Sequence, residues 1–247
     1  MKKDIIGSAL LDYYNGNYTE DIITATNISE EDEMPLPYLF RSFQEMPEIE
    51  QTALRLAHGK VLDVGCGAGS HALYLQEKGL EVVAMDISEG AIKVTQQRGV
   101  KNSRQTELLA LKDEKFDTLL LLMNGTGIFG ILQNVALYLQ HLKTLLTPTG
   151  QILIDSSDLR YMYDQEEISE SNTQGAIWVP GDRYYGELDF VMSYKGQTSE
   201  PFSWLYLDET LFKTAAVANG FTFEVISRGD NFDYLAKLTI EENSLLQ

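Results

Sequence analysis

Val61-Leu62-Asp63-Val64-Gly65-Cys66-Gly67-Ala68-Gly69 is the stretch on which the reading of this chain turns. Three apolar residues and one acid run into a loop with glycine at every second position. A helical pattern follows, with Ala68, Ala72 and Leu75 on one face and Gly79 at its end. A second apolar run, Val82-Val83-Ala84-Met85, closes on Asp86. Strand, glycine turn, helix and acid-tipped strand predict the nucleotide-binding half of a doubly wound α/β fold. Without a Cβ, Gly67 lets a ligand lie against the backbone. Asp86 falls at the carboxyl end of the neighbouring strand, where a carboxylate accepts both hydroxyls of a ribose.

The spacing selects among nucleotides. A dinucleotide fingerprint reads G-x-G-x-x-G, whereas position 70 is Ser70. The run D-V-G-C-G-A-G instead resembles the first motif of the class I S-adenosylmethionine-dependent methyltransferases. The resemblance implies S-adenosylmethionine as cofactor. It implies that Gly65, Cys66, Gly67 and Gly69 line the methionine part, that Asp63 helps hold the amino group, and that Asp86, with Ile87 next to it, takes the ribose side.

Composition narrows the class. A length of 247 residues suits one α/β domain with additions. The longest apolar run, Leu119 to Met123, is too short to cross a bilayer. Met1-Lys2-Lys3-Asp4 has no apolar signal core behind it. A soluble, cytoplasmic protein with no membrane partner is expected. The one cysteine, Cys66, excludes an internal disulfide framework and reads as a small loop residue rather than a nucleophile. The formal net charge is −18, from 37 acids against 19 bases, a field that repels nucleic acid phosphates. A small-molecule acceptor fits better than a nucleic acid. His58, His71 and His141 fall on different elements, so no metal site is expected.

Before the first core strand, a helix is predicted over Ile5 to Tyr14, ended by Asn15-Gly16-Asn17, and a second over Tyr18 to Ala25. Glu30 to Glu33 reads as a surface loop, Met34 to Pro37 as extended, and Pro47 to Leu56 as a helix. The family resemblance implies that this N-terminal helical cap, residues 1–58, covers the cofactor. Arg41, set among aromatics, is the candidate partner for the cofactor's carboxylate, and Tyr38 or Phe40 for closing the pocket.

Residues 59–158 carry the resemblance best. The third strand is expected within Val100 to Thr106, with Glu107 and the backbone of Leu108 facing adenine by family pattern. Phe116 to Asn124 is the clearest strand, apolar throughout as in a parallel sheet. Its "FD" opening and polar end resemble the fourth family motif, which implies Asn124 beside both the cofactor and the transferring methyl. The following loop, Gly125-Thr126-Gly127-Ile128-Phe129-Gly130, lacks the Gly-Lys-Ser/Thr ending of a phosphate cradle. Phe129 is a candidate substrate contact. The proline-aromatic pair of nucleic-acid amine methylases is absent after Asn124. A helix marked by Ile128 to Leu146, a turn at Pro148-Thr149-Gly150 and a strand from Gln151 to Asp155 follow. Asp155 is the candidate general base, at the sheet edge where ligands bind. His141 reads as an exposed helix residue.

Residues 159–207 interrupt the family plan with a predicted β-ribbon, Gly186 to Tyr194 and Phe202 to Leu207, that helps build the substrate pocket. Tyr161 and Trp204 are its substrate candidates. Residues 208–247 supply an Asp208-capped helix and a final hairpin. The whole chain, 1–247, is thus expected to be a single methyltransferase domain. Its core is a Rossmann-like, seven-stranded doubly wound sheet with a reversed last strand. The expected activity is methyl transfer from S-adenosylmethionine to a small molecule. The alternatives are a non-catalytic S-adenosylmethionine-binding or sensing protein and an NAD-dependent oxidoreductase, against which Ser70 speaks.

Overall fold

Short apolar runs, each closed by glycine or charge, become the strands of a central sheet. The computed structural model describes residues 3–163, 169–170, 177–179 and 183–241. The chain opens with α1 (Ile5–Tyr14), β1 (Ile22–Thr26), β2 (Asp32–Met34), α2 (Leu36–Leu39) and α3 (Glu48–Leu56). An alternating core follows: β3 (Lys60–Val64), α4 (Ser70–Glu77), β4 (Glu81–Asp86), α5 (Glu89–Gln97), β5 (Ser103–Gln105), β6 (Phe116–Leu121), α6 (Val135–Leu145) and β7 (Leu146–Ser157). Then come the short strands β8 (Ser169–Glu170), β9 (Ile177–Val179) and β10 (Arg183–Tyr184). They are followed by β11 (Glu187–Tyr194), β12 (Gln197–Thr198) and β13 (Phe202–Leu205). Helix α7 (Glu209–Ala218) and the hairpin β14 (Phe221–Arg228) and β15 (Asp233–Ile240) complete the described fold.

The central sheet has seven strands in the order β14-β15-β7-β6-β3-β4-β5. The five strands from β7 to β5 are parallel, and β15 enters antiparallel to β7. The expected doubly wound sheet with a reversed last strand is therefore present. Leu119, Leu120 and Leu121 of β6 are fully buried because both sheet faces are covered. Each such leucine contributes about 2 kcal/mol relative to an exposed one. Strand order reverses between β3 and β6, and the carboxyl ends on either side of that point frame a crevice.

The segments flanking this core differ from expectation. Tyr18 to Ala25 is not a helix: Ile22-Ile23-Thr24-Ala25-Thr26 is rich in β-branched residues and forms β1. It pairs with β11, Ile23 opposite Ser193 and Thr26 opposite Phe190. The acidic run ends in the exposed edge strand β2. Leu36 and Pro37 are helical rather than extended, since the first turn of a helix tolerates a missing N–H. Cap and ribbon are thus one sheet, β12-β11-β1-β2 with β13 also on β11, and not two separate additions. The helix expected from Ile128 starts only at Val135, after Gly130 turns at a φ of 75°. Pro148 to Gly150 is a bulge within continuous β7: Phe116 faces Leu146 and Thr118 faces Gln151.

The cap meets the core at a glycine crossing. A Cβ on Gly90 of α5 would come within 2.5 Å of the Gly7 backbone of α1. There Asp4 serves two helix starts at once, accepting from Gly7 N at 2.9 Å and from Gly90 N at 2.9 Å.

Candidate active site

Leaving β3, the chain turns through Gly65, Gly67 and Gly69 with φ values of 72°, 52° and 82°. These left-handed angles favour glycine. A Cβ on Gly67 would meet nothing within 4 Å, so this backbone faces open space. Cys66 lies buried beneath the loop with its sulfur 3.7 Å from Thr95 Oγ1, and burial pushes its thiol well up. The bland reading of that cysteine holds. Asp86 Oδ2 accepts from Gly67 N at 3.0 Å and its Oδ1 from Ser88 N at 2.8 Å. Burial raises the Asp86 carboxyl, and these N–H donors oppose the rise.

Asp63 is only 2% exposed, and its Oδ2 has no hydrogen-bond partner in the protein. Burial pushes its carboxyl up to about 6. An unsatisfied buried oxygen costs about 1–3 kcal/mol. Ile87 leaves an apolar side chain 72% exposed directly after Asp86. Glu107 is exposed just past β5, and Leu108 is buried. His141 is half-buried rather than exposed, because its Nε2 reaches the Leu108 carbonyl at 2.8 Å. Arg98, unforeseen from sequence, pins the glycine loop by donating to Ala68 O at 2.6 Å and Ser70 Oγ at 3.1 Å. The orphaned Asp63 oxygen, the open Gly67 backbone and the uncovered Ile87 fit a ligand with an amino group, a polar middle and a flat apolar end.

Several candidate residues are committed elsewhere. Arg41 is buried and bound to both oxygens of Glu50, with a further bond to the Tyr38 carbonyl. His71 Nε2 meets the same carboxylate at 2.7 Å. Arg41 is therefore engaged by Glu50, which α3 delivers to it, while its buried Nε has no hydrogen-bond partner among the described residues. Phe129 is 1% exposed and stacks on Tyr138 at 5.1 Å, so it belongs to the core and not to a pocket. The Asn124 side chain bridges to Leu205 O at 3.2 Å and accepts from Ser156 Oγ at 3.3 Å. Its polar end holds β13 against the loop rather than facing an acceptor. Trp204 lies across Gly127, where a Cβ would fall 1.9 Å from Cε2; only glycine permits that packing. Tyr161 is 56% exposed and stacks on Phe232 at 5.0 Å.

Beside the ends of β6 and β7 lies a cavity of about 330 Å³. Met123, Asp155 and Ser157 border it from the sheet edge, Tyr38 and Glu50 from the cap, and Asn231 and Asp233 from the last hairpin. Asp155 is 9% exposed and accepts from Met123 N at 3.0 Å and Gly125 N at 2.8 Å. These bonds hold Met123 and Asn124 at φ values of 65° and 60°, a strained region for such residues. Burial pushes the Asp155 carboxyl up to about 6, against the backbone donors. Burial also raises the Tyr38 phenol; Glu50, Asp155 and Asp233 add to the rise and Arg41 opposes it. Sequence reasoning had placed Tyr38 and Asp155 in the site. Glu50 and Asp233 also border the cavity, and nothing in their helix and hairpin settings marks them in the sequence.

Known proteins align with this arrangement. The family described as Methyltransferase domain matches residues 62–154. A crystal structure of an S-adenosylmethionine-dependent methyltransferase from Bacteroides fragilis, in complex with S-adenosyl-L-homocysteine, superposes with a TM-score of 0.86. It is 44% identical, over 97% of this chain and 95% of that one. A ubiquinone biosynthesis O-methyltransferase of Leptothrix cholodnii is 38% identical over 56 residues, 23% of this chain and 24% of the relative. The putative methyltransferase YqeM of Bacillus subtilis is 28% identical over 106 residues, 39% of this chain and 42% of the relative. The chain thus spans less than half the length of either curated relative.

Proposed function

The chain belongs to the S-adenosylmethionine-dependent methyltransferases, and from that premise we propose that it methylates a small-molecule acceptor. What carries the reading is the partnerless Asp63 oxygen beside the open backbone of Gly67. Asp63 would take the cofactor's amino group, and Gly65, Cys66, Gly67 and Gly69 would line its methionine part. Asp86 would accept the ribose hydroxyls, while Ile87 and Leu108 flank the adenine and Glu107 meets its edge. When bound, S-adenosylmethionine supplies an electrophilic methyl on a sulfonium sulfur, which leaves as a neutral thioether. The protein's task is then to place the acceptor and keep water out. Met123 and Asp155 lie near the carboxyl ends of β6 and β7 and border the 330 Å³ cavity, which we take as the acceptor site. Asp155 holds the turn beside this cavity and accepts a proton from an acceptor that arrives protonated. A formal charge of −18 supports a small acceptor over nucleic acid, and a cytoplasmic setting is part of the same proposal.

Thermal unfolding with saturating S-adenosylmethionine, S-adenosylhomocysteine or NAD tests the reading. A ligand at a hundred times its dissociation constant adds about 2.7 kcal/mol. For a chain of this size that raises the midpoint by roughly 5–10 °C. The rise is expected with the two sulfur nucleotides and not with NAD; a rise with NAD alone overturns the assignment.

A further inference from the structure

The acceptor cavity carries a charge pattern that narrows its ligand. Three carboxylates border it, Glu50, Asp155 and Asp233, and no lysine, arginine or histidine among the described residues does. Glu50 is already neutralised by Arg41 and contacted by His71. The other two have no cationic partner. Asp155 has one backbone N–H on each oxygen, and Asp233 Oδ1 accepts from Asn231 N at 3.0 Å. Each carboxylate oxygen has two lone-pair sites, so acceptor capacity is left over. Ser157 and Asn231 also border it, and the remaining surfaces are apolar: Pro47, Ile49, Met123 and the Tyr38 ring.

When an acceptor displaces water from this cavity, two carboxylates lose solvation together. An anionic acceptor adds repulsion to that loss. A neutral hydroxyl answers one oxygen and leaves the charge uncompensated. An ammonium group supplies a positive charge and several donors at once, forming charge-assisted hydrogen bonds. We propose that the acceptor is a basic amine on a compact apolar body, bound as its ammonium form by Asp155 and Asp233. A proton then passes from the ammonium nitrogen to an Asp155 oxygen, leaving the nitrogen lone pair free and the carboxyl neutral. The high Asp155 carboxyl suits it to receive that proton. A cavity of 330 Å³ lies at the small end of ligand sites and suits an acceptor of modest size.

This inference rests on the cavity being the acceptor site of a methyltransferase, and its test separates the two ideas. Benzylamine, benzyl alcohol and benzoate are titrated calorimetrically into the protein loaded with S-adenosylhomocysteine, at low and at 150 mM salt. Benzylamine is expected to bind at least tenfold tighter than benzyl alcohol, with benzoate weakest and the preference shrinking at the higher salt. Asp233→Asn should cost benzylamine tenfold or more, while benzyl alcohol and S-adenosylhomocysteine bind as before. Equal binding of amine and alcohol, preference for benzoate, or no binding of any probe overturns the amine assignment. The wild-type comparison decides even if the variant fails to fold. If S-adenosylhomocysteine does not bind, the cofactor reading fails separately, and the same titration on the unloaded protein still decides amine preference.

Discussion

On the cofactor side, Asp63 carries an oxygen that nothing in the protein satisfies; on the acceptor side, Asp155 has a backbone N–H on each oxygen. Both carboxyls are buried and both are pushed up to about 6. Their environments nevertheless differ in purpose. Asp63 sits by a glycine loop pinned by Arg98, and on the proposed function its unmet hydrogen bond goes to the cofactor. Asp155 spends its bonds on the protein, keeping Met123 and Asn124 in left-handed geometry beside the cavity. One side is complete except for its cofactor. The other is an assembly whose internal ion pairs and caps must hold before a pocket exists.

The sharpest way to break this contrast is Arg41→Ala. If Arg41 belongs to the internal scaffold, its loss strands Glu50 as a buried charge and costs about 3–5 kcal/mol. Denaturant or thermal unfolding should register that loss, with the midpoint falling by roughly 10 °C. Calorimetry should find S-adenosylhomocysteine affinity within about threefold of wild type, since no missing contact of comparable energy is involved. A large loss of affinity with little loss of stability would return Arg41 to the cofactor.

Asp63→Asn sharpens the comparison from the other side. The folded carboxyl lies above its unfolded value, so protonated Asp63 favours folding at low pH. That advantage is lost as pH rises through about 6. At pH 7.5 the ionised group then costs the cofactor-free protein about 3 kcal/mol. The amide should therefore raise the unfolding midpoint at pH 7.5, with the gain vanishing by about pH 4, while weakening S-adenosylhomocysteine binding. A midpoint that falls at every pH would mean that Asp63 is satisfied within the fold.

Asp86→Ala is the smallest of these effects on folding and is directed at binding alone. Loss of two charge-assisted bonds to the ribose hydroxyls should weaken S-adenosylhomocysteine about a hundredfold, measured by calorimetry. The midpoint of the unliganded protein should move little, because the half-buried Gly67 N–H can turn to water and removing a carboxylate disfavoured by burial offsets the lost Ser88 N–H bond.

The same division explains what could be read from sequence. The cofactor cradle is local: Asp63, the three glycines, Asp86 and Ile87 lie within twenty-odd positions, and backbone geometry ties each to its task. Their spacing is itself a physical constraint, so the central sheet and its glycine loop were legible. The acceptor cavity draws on Tyr38, Glu50, Met123, Asp155 and Asp233, and no spacing relates them. Glu50 in a helix start and Asp233 in a hairpin look alike whether they face solvent or a pocket. The partners of Phe129 and Asn124, Tyr138 and Leu205, likewise come from other elements and leave no mark in the local sequence. The cap was misjudged most, because Ile22 to Thr26 finds its partner only in β11. Its β-branched residues were the available signal.

That pairing also sets an order of assembly. A ribosome releases Ile22 to Thr26 long before Phe190 to Ser193 exists. Until then, β1 has only the three-residue β2 to lean on, a short hairpin too small to persist in water. The doubly wound strands from β3 to β7 are complete first and can bury their leucines without it. This outer sheet therefore closes as a late, high-contact-order event, in which an early segment of the chain waits for one made much later.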